Sequence, residues 1–338
     1  MRELTLNVQD VFSADAAAEL AVITRGGLVE SRHYGAAVLV NPDGEPVYRI
    51  GDVTTPVYPR SSLKPFQAIA SLRTGVVLNQ QQTALACASH TGATVHQQVA
   101  LSMLSAAGLS EADLQCPKAW PADGTTRRQW TLAGHQQNQL AFNCSGKHAG
   151  FLAACVHAGW PTENYLDHDH PIQRSVLKVL TEYAGLAPAH VSTDGCGAPA
   201  PTLPLLGLAR AVSRLATADE SAAGQVFAAM VAQPELVQGP GGENTIVAEE
   251  LGILAKLGAE GVLILGTADG HAVAMKCLDG AHRPTTLVGL RLLAAAGLLE
   301  RDRVDAVLQK VLPAITGGIT GSTVGELQLG RDVLLAIA

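Results

Sequence analysis

The chain predicts an α+β fold, in which a mixed sheet of N- and C-terminal strands encloses a largely helical middle. Three observations carry this. Short apolar runs rich in Val, Ile and Leu gather near the two ends. Turn chemistry joins them in pairs, and the long stretch between shows helical periodicity with glycine stops.

Taken in order, residues 35–40 and 47–50 read as strands, and Asn41-Pro42-Asp43-Gly44 between them has hairpin turn chemistry. The residues before 35 show no clear pattern. Pro65 opens a helical run through Phe66, Ile69 and Leu72 that stops at Gly75. A cap at Ser62 or later places proline in the first helical turn, where no donor is required, so Ser61 falls just outside the helix. Further helices are expected over 94–107, 145–158 (closed by Gly159), 170–184, 203–216 and the alanine-rich 220–232. Residues 261–267 and 271–277 flank Ala268-Asp269-Gly270 as a second hairpin. Helices over 284–297 and 302–312 follow, then a closing strand near 325–329. No repeat or linker divides the chain, so residues 20–330 are expected to form one catalytic unit with a helical subregion.

Composition narrows the function classes. Hydrophobic residues make up 47% and charged residues 16% of 338 residues, which suits a packed core. Aromatics at 4% and a net charge of -7 leave neither stacking platforms nor a basic footprint, which excludes nucleic acid as a partner. No apolar run reaches the ~18 residues of a membrane span. The first 20 residues carry Glu3, Asp10, Asp15 and Glu19 and lack the pattern of a signal segment. Six dispersed cysteines fit reduced thiols, some of them metal-bound. The expectation is a cytoplasmic enzyme.

Four strings carry chemistry. Arg60-Ser61-Ser62-Leu63-Lys64-Pro65 sets a serine hydroxyl three residues before a lysine, whose neutral amine can take the hydroxyl proton. Asn143-Cys144-Ser145-Gly146-Lys147-His148 places a cysteine at a helix start, where free amide donors favour a thiolate. Thr193-Asp194-Gly195-Cys196-Gly197 puts a carboxylate and a thiol on either side of a turn glycine. Two thiolates and a carboxylate make a reasonable zinc site, and spacing alone favours His148 as its fourth ligand. The alternative is two buried turn cysteines that bind nothing.

In Cys87-Ala88-Ser89-His90 the adjacent serine and histidine are expected to point apart, leaving Ser89 to a distant base. Lys256, in an apolar stretch, is a candidate for that base, although such a lysine ordinarily snorkels to solvent. His33, His96, His135 and His157 read as local hydrogen-bond formers or surface groups. Asp167, His168, Asp169 and His170 read as a polar loop before Pro171. The segments around Gly239-Pro240-Gly241-Gly242-Glu243-Asn244 and Gly317-Gly318-Ile319-Thr320-Gly321 could close over a substrate or supply backbone donors.

These strings, with Lys256-Leu257-Gly258-Ala259, occur in order over roughly residues 20–330, and together they resemble the L-asparaginase II family of the rhizobial, thermolabile type. The resemblance implies a fold related to serine β-lactamases and glutaminases. It implies hydrolysis of L-asparagine to L-aspartate and ammonia through an acyl-enzyme, and a homodimer. Ser61 matches the nucleophile and Lys64 its base, while Ser89 and Lys256 match a second pair. Cys144, Lys147, Asp194 and Cys196 match zinc ligands, so the resemblance puts Lys147 where spacing alone puts His148. Arg60 is a candidate contact for the substrate carboxylate. The stretch from Gly239 to Asn244 lacks the cysteine found at the active site of the rhizobial member. Two rival readings are hydrolysis of glutamine or another small amide, and noncatalytic amino-acid binding at a zinc-stabilised pocket.

Overall fold

A computed structural model describes residues 12–219 and 221–338. The sequence-based reading of a missing signal segment falls largely on residues 1–11, outside the described residues. The central sheet has seven strands: β1 (Ala18–Arg25), β2 (Leu28–Val40), β3 (Pro46–Ile50), β4 (Leu254–Gly258), β5 (Val262–Gly266), β6 (Ala272–Cys277) and β7 (Leu327–Leu329). Their spatial order is β7-β1-β2-β6-β5-β4, with β3 also on β2. The α+β class and the sharing of one sheet by both chain ends hold. Every ladder of this sheet is antiparallel. Tight hairpins join β2 to β3 and β5 to β6, and such turns pair only antiparallel strands.

The 13-residue β2 carries β1 along its first half and β3 along its second, with β6 on the opposite edge. Successive residues serve two different cores. Ala36, Val38, Val40, Ile264 and Ala274 face the helical middle of the chain, where they meet Phe66, Ile69, Phe151, Leu208 and Val212. Ala37, Leu39, Leu263, Leu265 and Met275 face the C-terminal helices through Leu287, Leu290, Val304 and Leu308. Both faces are covered, so these strands read as continuous apolar runs instead of alternating ones.

The middle helices follow the sequence expectations closely, at Lys64–Leu72, Thr94–Ala106, Ser145–Ala158, Pro171–Ala184, Leu205–Ala216 and Ala222–Ala232. Helices Gln80–Ala86, Gly124–Leu132, Glu243–Leu251 and Arg331–Ile337, and strands β1 and β4, have no counterpart in those expectations. The Gly-rich segment 317–321 is an exposed hairpin tip between Ile315–Gly317 and Ser322–Gly325. No helix among the described residues is long and apolar enough to cross a membrane.

Candidate active site

The site is assembled at the edge of the sheet. A 3₁₀ turn, Arg60–Leu63, leads straight into the Lys64–Leu72 helix, with Pro65 in its first turn and Leu63 at the cap. Ser62 is buried and donates to Pro59 O at 2.8 Å, so it braces the turn. Ser61 is half-buried in that turn, just outside the helix as the proline required. Arg60 holds φ at 54°, a left-handed conformation that costs a residue with a Cβ about 1–3 kcal/mol and gathers at functional sites. The turn packs on β4 at Gly258, where a Cβ would lie 2.4 Å from Pro59 O.

Lysines from opposite ends of the chain meet at one hydroxyl. Ser89 Oγ lies 3.0 Å from Lys64 Nζ and 2.9 Å from Lys256 Nζ. Lys64 also donates to the carbonyls of Ala88 and, at 3.5 Å, Asn143. Lys256 donates to Leu257 O at 2.5 Å. Lys64 is 1% and Lys256 0% exposed, so the snorkelling expected of Lys256 does not occur. On β4 its side chain takes the same face as Leu254 and points into the helical core, not along the edge toward water. Burial first, and then the charge of Lys64, hold the Lys256 amine well below its ordinary value.

Ser89 and His90 point apart, as adjacent residues should. The Ser89 N–H donates to Val237 O, while His90 turns inward to Ser145 Oγ at 3.0 Å and stacks on His96. Burial pushes His90 well down, so its ring is neutral. Nδ1 accepts the Gly92 N–H at 3.0 Å, which leaves the proton on Nε2 for Ser145, whose own hydroxyl donates to Leu140 O. This network fixes the loop that carries Ser89. The sequence reading missed it, along with Asn244, whose Oδ1 accepts the Leu257 N–H at 2.9 Å beside Lys256. The adjacency of Asn244 to a glycine-rich loop was the available signal. In that loop Gly239 adopts φ +138°, and a Cβ there would lie 2.7 Å from Thr91 Oγ1.

The third group sits at the start of the Ser145–Ala158 helix, against the hairpin of Val191–Thr193 and Pro199–Pro201. Gly197 closes that hairpin at φ +88°, its N–H donating to Asp194 O. Cys144, Lys147 and Cys196 are buried together, with Lys147 Nζ 3.0 Å from Cys196 Sγ. The hydrogen bond from Cys196 holds the Cys144 thiol well below its ordinary value, and giving that bond raises Cys196. Burial alone lowers Lys147, but the Cys196 and Cys144 sulfurs outweigh it and raise the amine. Arg60 donates through Nε at 2.9 Å and its NH2 nitrogen at 2.6 Å to Asp194 Oδ1, tying this group to the Ser61 turn. Burial raises the Asp194 carboxyl, and Arg60 more than offsets it. His148 Nδ1 lies 2.7 Å from the Tyr165 hydroxyl, and its Nε2 is buried without a partner among the described residues.

His170 and Asp167 of the polar loop are structural. His170 caps the Pro171–Ala184 helix by accepting the Ile172 N–H, and Asp167 binds Asn164 in the loop before it.

Two buried amines thus meet one serine hydroxyl in this α+β chain. A family model described as L-asparaginase II matches residues 21–329, and the chain belongs to that family. It is thus an L-asparaginase, with a small-molecule substrate and the amide of asparagine as the bond it cleaves. A search among curated proteins returned no match.

Proposed function

We propose that this enzyme hydrolyses the side-chain amide of L-asparagine through a serine acyl-enzyme, with Ser61 as nucleophile and Lys64 as its base. The contact of Ser89 Oγ with both Lys64 and Lys256 supports the proton relay, while Ser61 is assigned by its place in the half-buried turn that leads straight into Lys64. Lys64 takes the Ser61 proton as the oxygen attacks the amide carbon. Ser89 can pass a proton on to the neutral Lys256, so Lys64 is restored as a base for each half-reaction. The protonated Lys256 then gives its proton to the departing amide nitrogen, which leaves as ammonia. Water, losing a proton to Lys64, attacks the acyl carbon, and that proton returns to Ser61 as aspartate is released. Arg60, held by Asp194 through Nε and one NH2 nitrogen, presents its remaining donors to the substrate carboxylate.

A second reading has Ser89 as the nucleophile, since it is the hydroxyl in hydrogen-bond contact with both amines. Trapping the acyl-enzyme and mapping the modified peptide separates the two. An adduct on Ser61 supports the first reading and one on Ser89 the second. Ammonia release with neither serine needed would sink both.

What supports zinc at the third group is its donor chemistry. Lys147 Nζ lies 3.0 Å from Cys196 Sγ with Cys144 buried beside them, and Asp194 is near enough to help raise the Lys147 amine. His148 Nε2 is buried without a partner among the described residues. Cys144, Lys147, Asp194 and Cys196 would hold the ion, displacing one proton from Lys147 and one from the sulfur pair. When bound, zinc supplies a fixed positive charge beside the Arg60 turn and ties the helix start to the hairpin. Association into a homodimer belongs to the same reading, and light scattering of the purified protein tests it.

A further inference from the structure

We propose that His33, Cys277 and Asp279 form a binding site for a zinc-class divalent cation, built from none of the residues placed in the catalytic centre or the Cys144 group. Their ligand atoms all lie within 4.8 Å of one another. Asp279 bridges the other two, with Oδ1 2.9 Å from Cys277 Sγ and Oδ2 3.1 Å from His33 Nδ1.

The backbone explains the convergence. Cys277 ends β6 opposite Gly35 of β2, so His33, two residues earlier, lies just past the last paired residue. The strands approach closely there, since a Cβ on Gly35 would lie 2.1 Å from Lys276 O. The chain then turns back through Gly280 at φ +81°, whose N–H donates to Cys277 O. Ala281 N–H donates to Asp279 Oδ1 at 2.9 Å and sets the carboxylate over the thiol and imidazole. The Leu278 N–H is taken by Tyr34 O at 2.7 Å, so both sides of the site are anchored.

The donor chemistry selects the ion. One thiolate and one imidazole favour zinc and its neighbours over magnesium or calcium. Tetrahedral donors about 2.0–2.3 Å from zinc stand roughly 3.3–3.7 Å apart, and ligand atoms already within 4.8 Å of one another can close on one ion by side-chain rotation. The His33 side chain is 7% exposed and that of Asp279 52%, so the site is closed beneath and open to solvent on one side. Water completes the fourth position there. The remaining nitrogen of His33, Nε2, is buried and has no hydrogen-bond partner among the described residues, so no second bond locks the ring.

The test uses cobalt(II) added to metal-free full-length protein carrying Cys144→Ser and Cys196→Ser together. One equivalent should bind with a thiolate-to-cobalt absorption band, and adding Cys277→Ser should abolish the band. No band in the first protein, or a band that survives Cys277→Ser, overturns the proposal. Should those changes compromise folding, Asp279→Asn in the otherwise unaltered chain serves instead. Its zinc content after dialysis should fall by one equivalent with asparagine turnover unchanged, whether or not the Cys144 group also binds metal. An unaltered zinc content overturns the proposal.

Discussion

Replacing Lys256 by methionine should abolish turnover and at the same time stabilise the fold at neutral pH. Both amines touch the same oxygen, at 2.9 and 3.0 Å, so they stand no more than 5.9 Å apart, the sum of those contacts. Two ammonium charges at that separation repel by about 3 kcal/mol at an effective dielectric near 20. With full burial added, the folded state keeps Lys256 neutral at pH values where the unfolded chain protonates it. The folded pKa lies below the unfolded one, so the unfolded state binds the extra proton throughout the interval between them. Stability of the natural protein therefore rises with pH across that interval, by about 1.4 kcal/mol per pH unit for one proton. Lys256→Met removes this dependence. Urea unfolding at pH 8, 9 and 10 should show the natural protein gaining on the variant as pH rises, by at most about 1.4 kcal/mol per unit. The variant should be the more stable protein at pH 7. A gap that stays constant with pH would mean that Lys256 is an ammonium in the fold, and the relay through Ser89 would fall with it.

Ser89→Ala breaks the bridge between the amines, and kcat should drop by about 10²–10⁴-fold with KM little changed, the range expected for lost proton transfer. A large rise in KM instead would make Ser89 a binding residue. Gly258→Ala forces a Cβ to within 2.4 Å of Pro59 O. Thermal unfolding should show a loss of about 1–3 kcal/mol, and kcat should fall because the Ser61 turn is displaced. An unchanged melting temperature would refute the close packing of β4 on that turn. Arg60→Lys loses the planar fork on Asp194, and kcat/KM for asparagine should fall roughly 10–100-fold, mostly through KM. Unchanged KM would remove Arg60 from substrate binding.

What the sequence disclosed depended on how local the signal was. The helix at Ser145–Ala158 was legible at both ends, because Gly159 takes the left-handed cap at φ +68°. The β5–β6 hairpin was legible for the same reason, since its turn chemistry sits between its strands. β1 was not, because Leu20, Ala21, Val22 and Ile23 are all buried and show no alternation. The helix at Gly124–Leu132 buries only Thr126, so no apolar stripe marks it. At the site, each motif could be read singly. Lys256 was expected as a base for Ser89, but that Lys64 reaches the same hydroxyl was not, because it is a meeting of three segments in space. Likewise, a lysine flanked by Ala255 and Leu257 is expected at a surface, and only the covered edge of β4 reverses that.

The sharing of one hydroxyl by lysines from distant segments also governs when activity can first arise during synthesis. Roughly 190 residues separate Lys64 from Lys256, so at about 5–20 residues per second the second amine follows the first by on the order of 10–40 s. β4 then needs β5 and β6 to seat it in the sheet. A ribosome-bound nascent chain therefore carries an inert serine turn until the segment from β4 to β6 has emerged. Ammonia release thus reports that the two lysine segments have met and can serve as a clock for that step of assembly.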